Sequence, residues 1–423
     1  MSNARNLSKF RPSSSGLVET ADIADDAITT AKIADANITT AKVADDAVTG
    51  AKIENNPTIA GNLTVSGDFV PSTSLSTENI IINGDMVVAQ RASSSTANGV
   101  TTVDRWGLTS SQVACTKSQQ STSTSDAPYQ HGFTQFLRME VTSGSTNDAS
   151  YAQFVQQIEA RNILRSGWNY KSSSSHVTLS FWARSSLAGT YHAMLYSTDM
   201  SPNRIRNLTF VLQANTWTKV ALTFEGNSNL VINNDTGAGM LVYIIPYYGP
   251  SFSGTGANHT SWYTISGQDY VPDFLQNWGS TNGRTFDLTG VQLEVGSSAT
   301  PYKIETPAQN HARCFRYFYK TTGAGAYPFI NELPSNKSGY AGKIDFPVQM
   351  RATPSMVFTS IVLLQPQVNT SAYVVDGAFY VTVDGFHGVT WSGSSTIGST
   401  GDANKGFYHD DSGETWSADA EYA

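Results

Sequence analysis

The sequence has almost no cysteine. Cys115 and Cys314 are the only two among 423 residues. Lying far apart, they form neither a metal-ligand spacing nor a disulfide framework, and both are expected to be free thiols. Charge is sparse too: Asp, Glu, Lys and Arg make up 14% of the chain, and the net charge is −8. No stretch concentrates Lys and Arg, which argues against nucleic acid or an anionic membrane surface as a partner. Long hydrophobic runs are missing. The longest, Leu241–Ile245, is far too short to span a bilayer. The opening MSNARNLSKFRPSSSG lacks the apolar centre of a signal peptide. No GxSxG elbow, HExxH pair or Walker loop occurs, and none of the 7 histidines pair at i, i+4. No cofactor is expected. What remains abundant is Ser, Thr, Gly and Asn, with aromatics at 11%. That is the balance of an all-β protein with many polar loops.

Near the N-terminus a ten-residue repeat stands out: ADIADDAITT, AKIADANITT, AKVADDAVTG, AKIENNPTIA over residues 21–60. Ile23, Ile28, Ile33, Ile38, Val43, Val48 and Ile53 fall at every fifth position. Five residues turn a helix by about 500°, so these side chains make no helical stripe. Five is odd, so in a strand they alternate faces. One chain cannot bury them on either element. Short strands broken by turns at the Ala-Asp steps fit better, with copies of the same chain supplying the interior. The reading is a shaft of several identical chains, here a homotrimer.

Residues 1–20 are polar and read as an extended anchor that orders against a partner. The shaft and a linker fill 21–78. From residue 79 the texture changes to strand-length runs: IIINGDMVV, HVTLSFWAR, YHAMLY, LTFVLQ, WTKVALTF, MLVYIIPYY and FDLTGVQLEV. Turn-rich stretches separate them, which predicts an antiparallel jelly-roll β-sandwich over 79–306. The spacing in 151–165 permits strand or helical turn. A smaller C-terminal β-sandwich is expected over 307–423, with QNHARCFRYFYK strand-like. Asp376-Gly377 and Asp384-Gly385 mark hairpins, and Pro347 and Pro354 bracket an edge or bend.

The repeats, with NIIINGDMVVAQR and TVDRW (79–106), GVQLEVGSSATPY (290–302), HARCFRYFYK (311–320), FPVQMRATP (346–354) and a late ADAE (418–421), resemble in their order a bacteriophage tail fibre. The resemblance runs through nearly the whole chain. It implies a virion protein, made in the host cytoplasm, that joins a tail or baseplate protein through its N-terminus. Its C-terminal unit would be the receptor-binding tip. NIIINGDM with HVTLSFWARS also resembles jelly-roll carbohydrate-binding modules. Those modules often hold a structural calcium, which here would fall to Asp85 and Asp287. The acid that normally follows the motif is absent, since Met86 and Val87 follow Asp85.

Sugar recognition needs aromatic faces beside amide and carboxylate groups. In the larger sandwich the candidates are Tyr247, Tyr248, Trp262, Tyr263 and Trp278. In the C-terminal unit they are Phe386, His387, Trp391 and Tyr408, set among turns of Gly, Ser and Asp. Trp106, Trp182 and Trp217, on strand-like runs, read as packing residues. Cleavage of a glycan would need two positioned carboxylates. Asp410, Asp411 and Glu414 in YHDDSGETW are the candidates, and such loops are usually solvated turns. The expected function is adhesion to a host-surface polysaccharide or protein, without enzymatic activity. A polysaccharide-degrading spike and a purely structural connector are the alternatives.

Overall fold

A computed structural model of the chain describes residues 79–254, 259–265, 269–320, 340–358, 362–364, 373–374, 380–389, 406–408 and 416–422. All belong to one of the chain's two units, Pro71–Ala423. The anchor, the aliphatic decads, Trp391, the Asp376-Gly377 pair and the acidic loop of Asp410, Asp411 and Glu414 lie outside the described residues.

Two six-stranded antiparallel sheets form the expected β-sandwich. With strands numbered along the chain, the first sheet runs β1 (Ser94–Ser95), β3 (Ala114–Ser121), β4 (Gln135–Ser143), β12 (Thr285–Val295), β6 (His176–Ser185), β9 (Thr218–Glu225). The second runs β11 (Tyr263–Thr264), β8 (Arg204–Leu212), β7 (Gly189–Ser197), β10 (Ala238–Tyr248), β5 (Tyr151–Glu159), β2 (Gly107–Ser111). Alternation decides which side chains face inward. Leu179 and Phe181 of β6 meet Tyr191, Ala193 and Leu195 of β7 and Val242 and Ile244 of β10 in one core. Each of the larger side chains here, such as Leu179, Phe181 or Ile244, contributes roughly 1.5–3 kcal/mol when taken fully out of water. Both cysteines are buried and free.

Six of the seven apolar runs are strands. The exception is IIINGDMVV, which is buried but irregular. Its two asparagines take over the backbone's partners. Asn83 adopts φ 55°, donates to the carbonyls of Val88 and Asp104, and accepts from the Val88 amide. Asn79 does the same between Ile81, Val291 and Leu293. Such local side-chain bonds compete with a ladder. Gly84 is obligatory here, because a Cβ would lie 2.0 Å from the Val291 carbonyl oxygen. The stretch 151–165 contains both alternatives: β5, then a short helix, Ala160–Arg165.

The strand expected over 309–320 is mostly helix. Pro307–Phe315 is helical, and only Phe318–Lys320 (β13) is strand. Thr306 and Gln309 form a reciprocal capping box, Pro307 opens the first turn, and Asn310 and Cys314 turn inward one helical turn apart.

Beyond it lie β14 (Tyr340–Asp345), β15 (Ser355–Phe358), β16 (Val362–Leu364), β17 (Tyr373–Val374), β18 (Tyr380–Val381), β19 (Gly385–Val389), β20 (Gly406–Tyr408) and β21 (Trp416–Asp419). They pair as three small sheets: β13-β21-β15, β14-β19-β18 and β17-β16-β20. The Asp384-Gly385 hairpin forms as expected, closed by Thr382 N–H on the Gly385 carbonyl at 2.8 Å. The segment between Phe346 and Pro354 is a bend.

The last strand returns to the part of the sandwich where residues 79–91 enter. Arg91 binds Asp419 at 3.1 Å, and Arg105 pairs with Glu421. Arg351 binds the carbonyls of Ala420 and Glu421 and lies 3.9 Å over the Tyr422 ring. Ile82, Val88, Cys314 and Tyr317 form a small core there, with Tyr422 packed against it.

Candidate functional site

Strand alternation also fixes what the second sheet turns away from the core. On β5 these are Tyr151 and Gln153; on β7, His192, Met194 and Tyr196; on β10, Tyr243 and Ile245. Strict alternation would add Tyr247 to that face. Pro246 has no N–H to give the ladder, and the register slips by one residue between Ile244 and Tyr247. The bulge sends Tyr247 into the main core and leaves Tyr248 on the outer face.

The chain after β10 folds back across this face. Phe252, Tyr263, Ile265, Tyr270, Val271 and Phe274 pack on it with Met194, Ile205, Ile245 and Tyr248. Two of the expected site residues hold this cover in place. Trp262 is 4% exposed, and its Nε1 donates to the Glu225 carbonyl at 2.7 Å. Tyr263 donates to the Tyr270 carbonyl at 2.7 Å and accepts from Asn207 Nδ2 at 2.9 Å. His259 sits beside them, its Nδ1 2.9 Å from the Tyr263 hydroxyl. Trp278 is fully buried and donates to the Thr285 carbonyl at 3.2 Å.

Where the cover stops, a cavity of about 230 Å³ opens, lined by Tyr151, Gln153, Met194, Tyr196, Tyr243, Tyr248, Phe252 and Tyr270. Its rings meet edge to face or tilted: Tyr151 and Phe252 at 5.4 Å, Tyr196 and Tyr243 at 6.2 Å, Tyr248 and Tyr270 at 6.2 Å. Tyr248 donates its hydroxyl hydrogen to Gln153 Oε1. Burial raises the phenols of Tyr243, Tyr248 and Tyr270 above their ordinary range, and neighbouring tyrosines add to it. They are neutral hydrogen-bonding groups at physiological pH. Among the described residues, its lining contains no Asp, Glu, Lys or Arg. Chemically this is a wall of apolar ring faces with several hydroxyls and one amide.

Among the expected site residues that the structure describes, only Tyr248 lines this cavity. Trp262, Tyr263 and Trp278 support or lie beneath it. In the C-terminal unit, Phe386 and His387 fall on β19 and Tyr408 on β20, so they occupy strands and not the turns themselves. The residues that sequence reasoning missed are Tyr151, Gln153, Met194, Tyr196, Tyr243, Phe252 and Tyr270. For Tyr196 and Tyr243 the legible hint was a tyrosine within the strand-like runs YHAMLY and MLVYIIPYY; the others gave no such signal.

The calcium expectation for Asp287 does not hold. Its carboxylate binds Arg138 at 2.7 Å and Arg184 at 2.8 Å, which occupies its oxygens and leaves two cations facing any third. Asp85 accepts from Asn310 Nδ2 at 2.8 Å, and burial raises its pKa, so its charged form is disfavoured. Asn83-Gly84-Asp85 is a tight turn, closed by the Met86 amide on the Asn83 carbonyl at 3.2 Å. Among the described residues, no three His, Cys, Asp or Glu side chains gather as a metal site, and no helix is long and apolar enough to cross a membrane.

No known protein family matches the chain, and no curated protein matches it. Among solved structures it is similar to the enzymatically active domain of bacteriophage CBA120 tailspike protein 4, at 12% identity over 52% of this chain and 21% of that one, with a TM-score of 0.28. It is similar to the N-terminal cellulose-binding domain of Cellulomonas fimi β-1,4-glucanase C, at 12% identity over 50% of this chain and 99% of that one, TM-score 0.26. It is also similar to the family 11 carbohydrate-binding module of a Clostridium thermocellum cellulosomal cellulase, at 10% identity over 49% and 96%, TM-score 0.25. The chain thus spans about a fifth of the tailspike domain's length (21%) and nearly all of the two binding domains.

Proposed function

We propose that this protein is an adhesion component of a bacteriophage tail fibre, and that its larger sandwich binds a glycan of the host surface. The tyrosine-lined cavity on the outer face of the second sheet carries the reading. Ring faces suit the C–H face of a pyranose, while phenol hydroxyls and the Gln153 amide suit its hydroxyls. Among the described residues no pair of carboxylates lines this cavity, which favours binding over cleavage, since glycoside hydrolysis uses two. The repeat of residues 21–60 supports assembly into a homotrimer. Three weak sites on one particle would hold firmly through effective concentration. The N-terminal twenty residues would join the fibre to a tail or baseplate protein, and the C-terminal unit remains a second candidate for contact with the receptor.

The test is binding of the purified protein to host cells and to an array of bacterial surface glycans. Tyr243→Ala and Tyr196→Ala should each weaken binding by about 1–3 kcal/mol, the range of a buried aromatic anchor. Full-strength binding by both variants would move the site elsewhere. Release of reducing ends from a bound polysaccharide would instead make the protein a degrading spike.

A further inference from the structure

A second cavity, of about 420 Å³, has Tyr247, Tyr248, Asp273, Phe274, Gln276 and Asn277 in its wall. Tyr248 lines both cavities, so one residue forms a wall of each. Tyr247 and Tyr248 lie on opposite sides of β10, as neighbours in a strand do, and the bulge at Pro246 decides that Tyr248 is the one on the outer face.

The chemistry of the two cavities differs. The first offers phenols and an amide. The second offers acceptors. Asn277 Oδ1 is buried and finds no donor among the described residues. Asp273 Oδ1 accepts from Ser253 Oγ at 2.9 Å. The Asn277 backbone carbonyl is already taken, by Arg284 and by Ser280 Oγ, so it does not compete for a ligand's donor. Gln276 is fixed as well, its Nε2 donating to the Thr190 carbonyl at 2.6 Å. A buried acceptor without a donor carries a desolvation cost that no hydrogen bond offsets. A ligand hydroxyl that reaches Asn277 removes that cost. Phe274 and Tyr247, 5.6 Å apart, supply ring surface at the same place.

We infer that the second cavity is a further subsite of the same glycan site, so that the ligand is an oligosaccharide of at least two units laid past Tyr248, with the unit at Asn277 presenting a hydroxyl donor. The inference rests on the glycan reading given above and deepens it.

The experiment uses the full chain and an array carrying bacterial surface glycan repeats as ladders of one, two, three and four units. Wild-type protein should bind at least one ladder, with affinity rising tenfold or more between one and three units. Asn277→Ala and the milder Asp273→Asn should bring that ratio down towards one. Tyr243→Ala should weaken every rung. Equal affinity along the ladder, or a length dependence that survives in both cavity variants, would overturn the second subsite and leave glycan binding standing. Failure of the wild-type protein to bind any ladder would overturn both.

Discussion

Arg105 and Tyr317 are stacked, with the guanidinium carbon 3.4 Å from the centre of the phenol ring. Arg105 is 2% exposed, its other partners being Glu421 and the Gln157 carbonyl. The pair joins the second sheet, the segment after the capped helix, and the last residues of the chain. Arg105→Met should therefore destabilise the sandwich by about 3 kcal/mol, because Glu421 is left buried with only the more distant Arg91, 4.0 Å away, as counter-ion. Adding Glu421→Gln should recover a good part of that loss. Denaturant melts of the two single variants and the double variant measure it, and strictly additive effects would show that the pair is not coupled.

The pH dependence should contain two opposing contributions. Burial holds Asp104 at about 6 in the folded protein against 3.8 when exposed, despite Arg91 nearby. Folding therefore gains stability from Asp104 as pH falls from about 6 to 3.8, and loses it as pH rises through 6. His192 lies under Phe274 at 4.5 Å, with neither ring nitrogen bonded among the described residues. Burial lowers it from 6.5 to about 4, so its contribution is present above 6.5 and lost as pH falls towards 4. Each amounts to about 3 kcal/mol at most. Relative to wild type, His192→Phe should gain stability between pH 7 and 5, and Asp104→Asn should lose it. Parallel urea midpoints for all three proteins at both pH values would contradict this.

Chelation should leave the sandwich unmoved. Asp287 is held by Arg138 and Arg184, so EDTA or added calcium should not shift the melting temperature. Asp287→Asn should lower stability by about 1–3 kcal/mol, through two part-buried guanidinium groups losing their shared anion. A calcium-dependent rise in melting temperature that the variant abolishes would restore the metal reading.

Assembly should depend on the decads. Native mass spectrometry of the full chain is expected to show three copies. Replacing Ile28, Ile33 and Ile38 with Asp should shift it towards monomer, because charges would then be buried where the copies meet. A wild-type monomer at micromolar concentration would refute the shaft.

The sandwich was largely legible because its strands announce themselves by period and by length. HVTLSFWAR and MLVYIIPYY could hardly be anything else. Polar strands were harder: ACTKSQQS hides its burial behind Lys117, whose ammonium is satisfied by the carbonyls of Thr96 and Ala97 and by Asn98 Oδ1. IIINGDMVV misled in the other direction, since asparagine bonding and not hydrophobicity sets its path. The helix at Pro307 was written in its capping box, which the aromatic run beyond it obscured. The site was less legible than the fold. Tyr151, Tyr196 and Tyr243 lie on three strands that pair only through contacts distant in sequence. Loop tryptophans drew attention instead, and Trp262 and Trp278 proved to be buried supports.

The docking of the last strand has a consequence for how the molecule is made. Arg105 and Glu421 are separated by 316 positions, and Arg91 and Asp419 by 328. During synthesis at about 5–20 residues per second, both arginines emerge many seconds before their counter-ions exist. The sheets can pair and the core can close in that interval, while this one end stays wet and unpaired. Its closure is then a late step of biogenesis, and a chain terminated after β20 would carry a sandwich with this end left open.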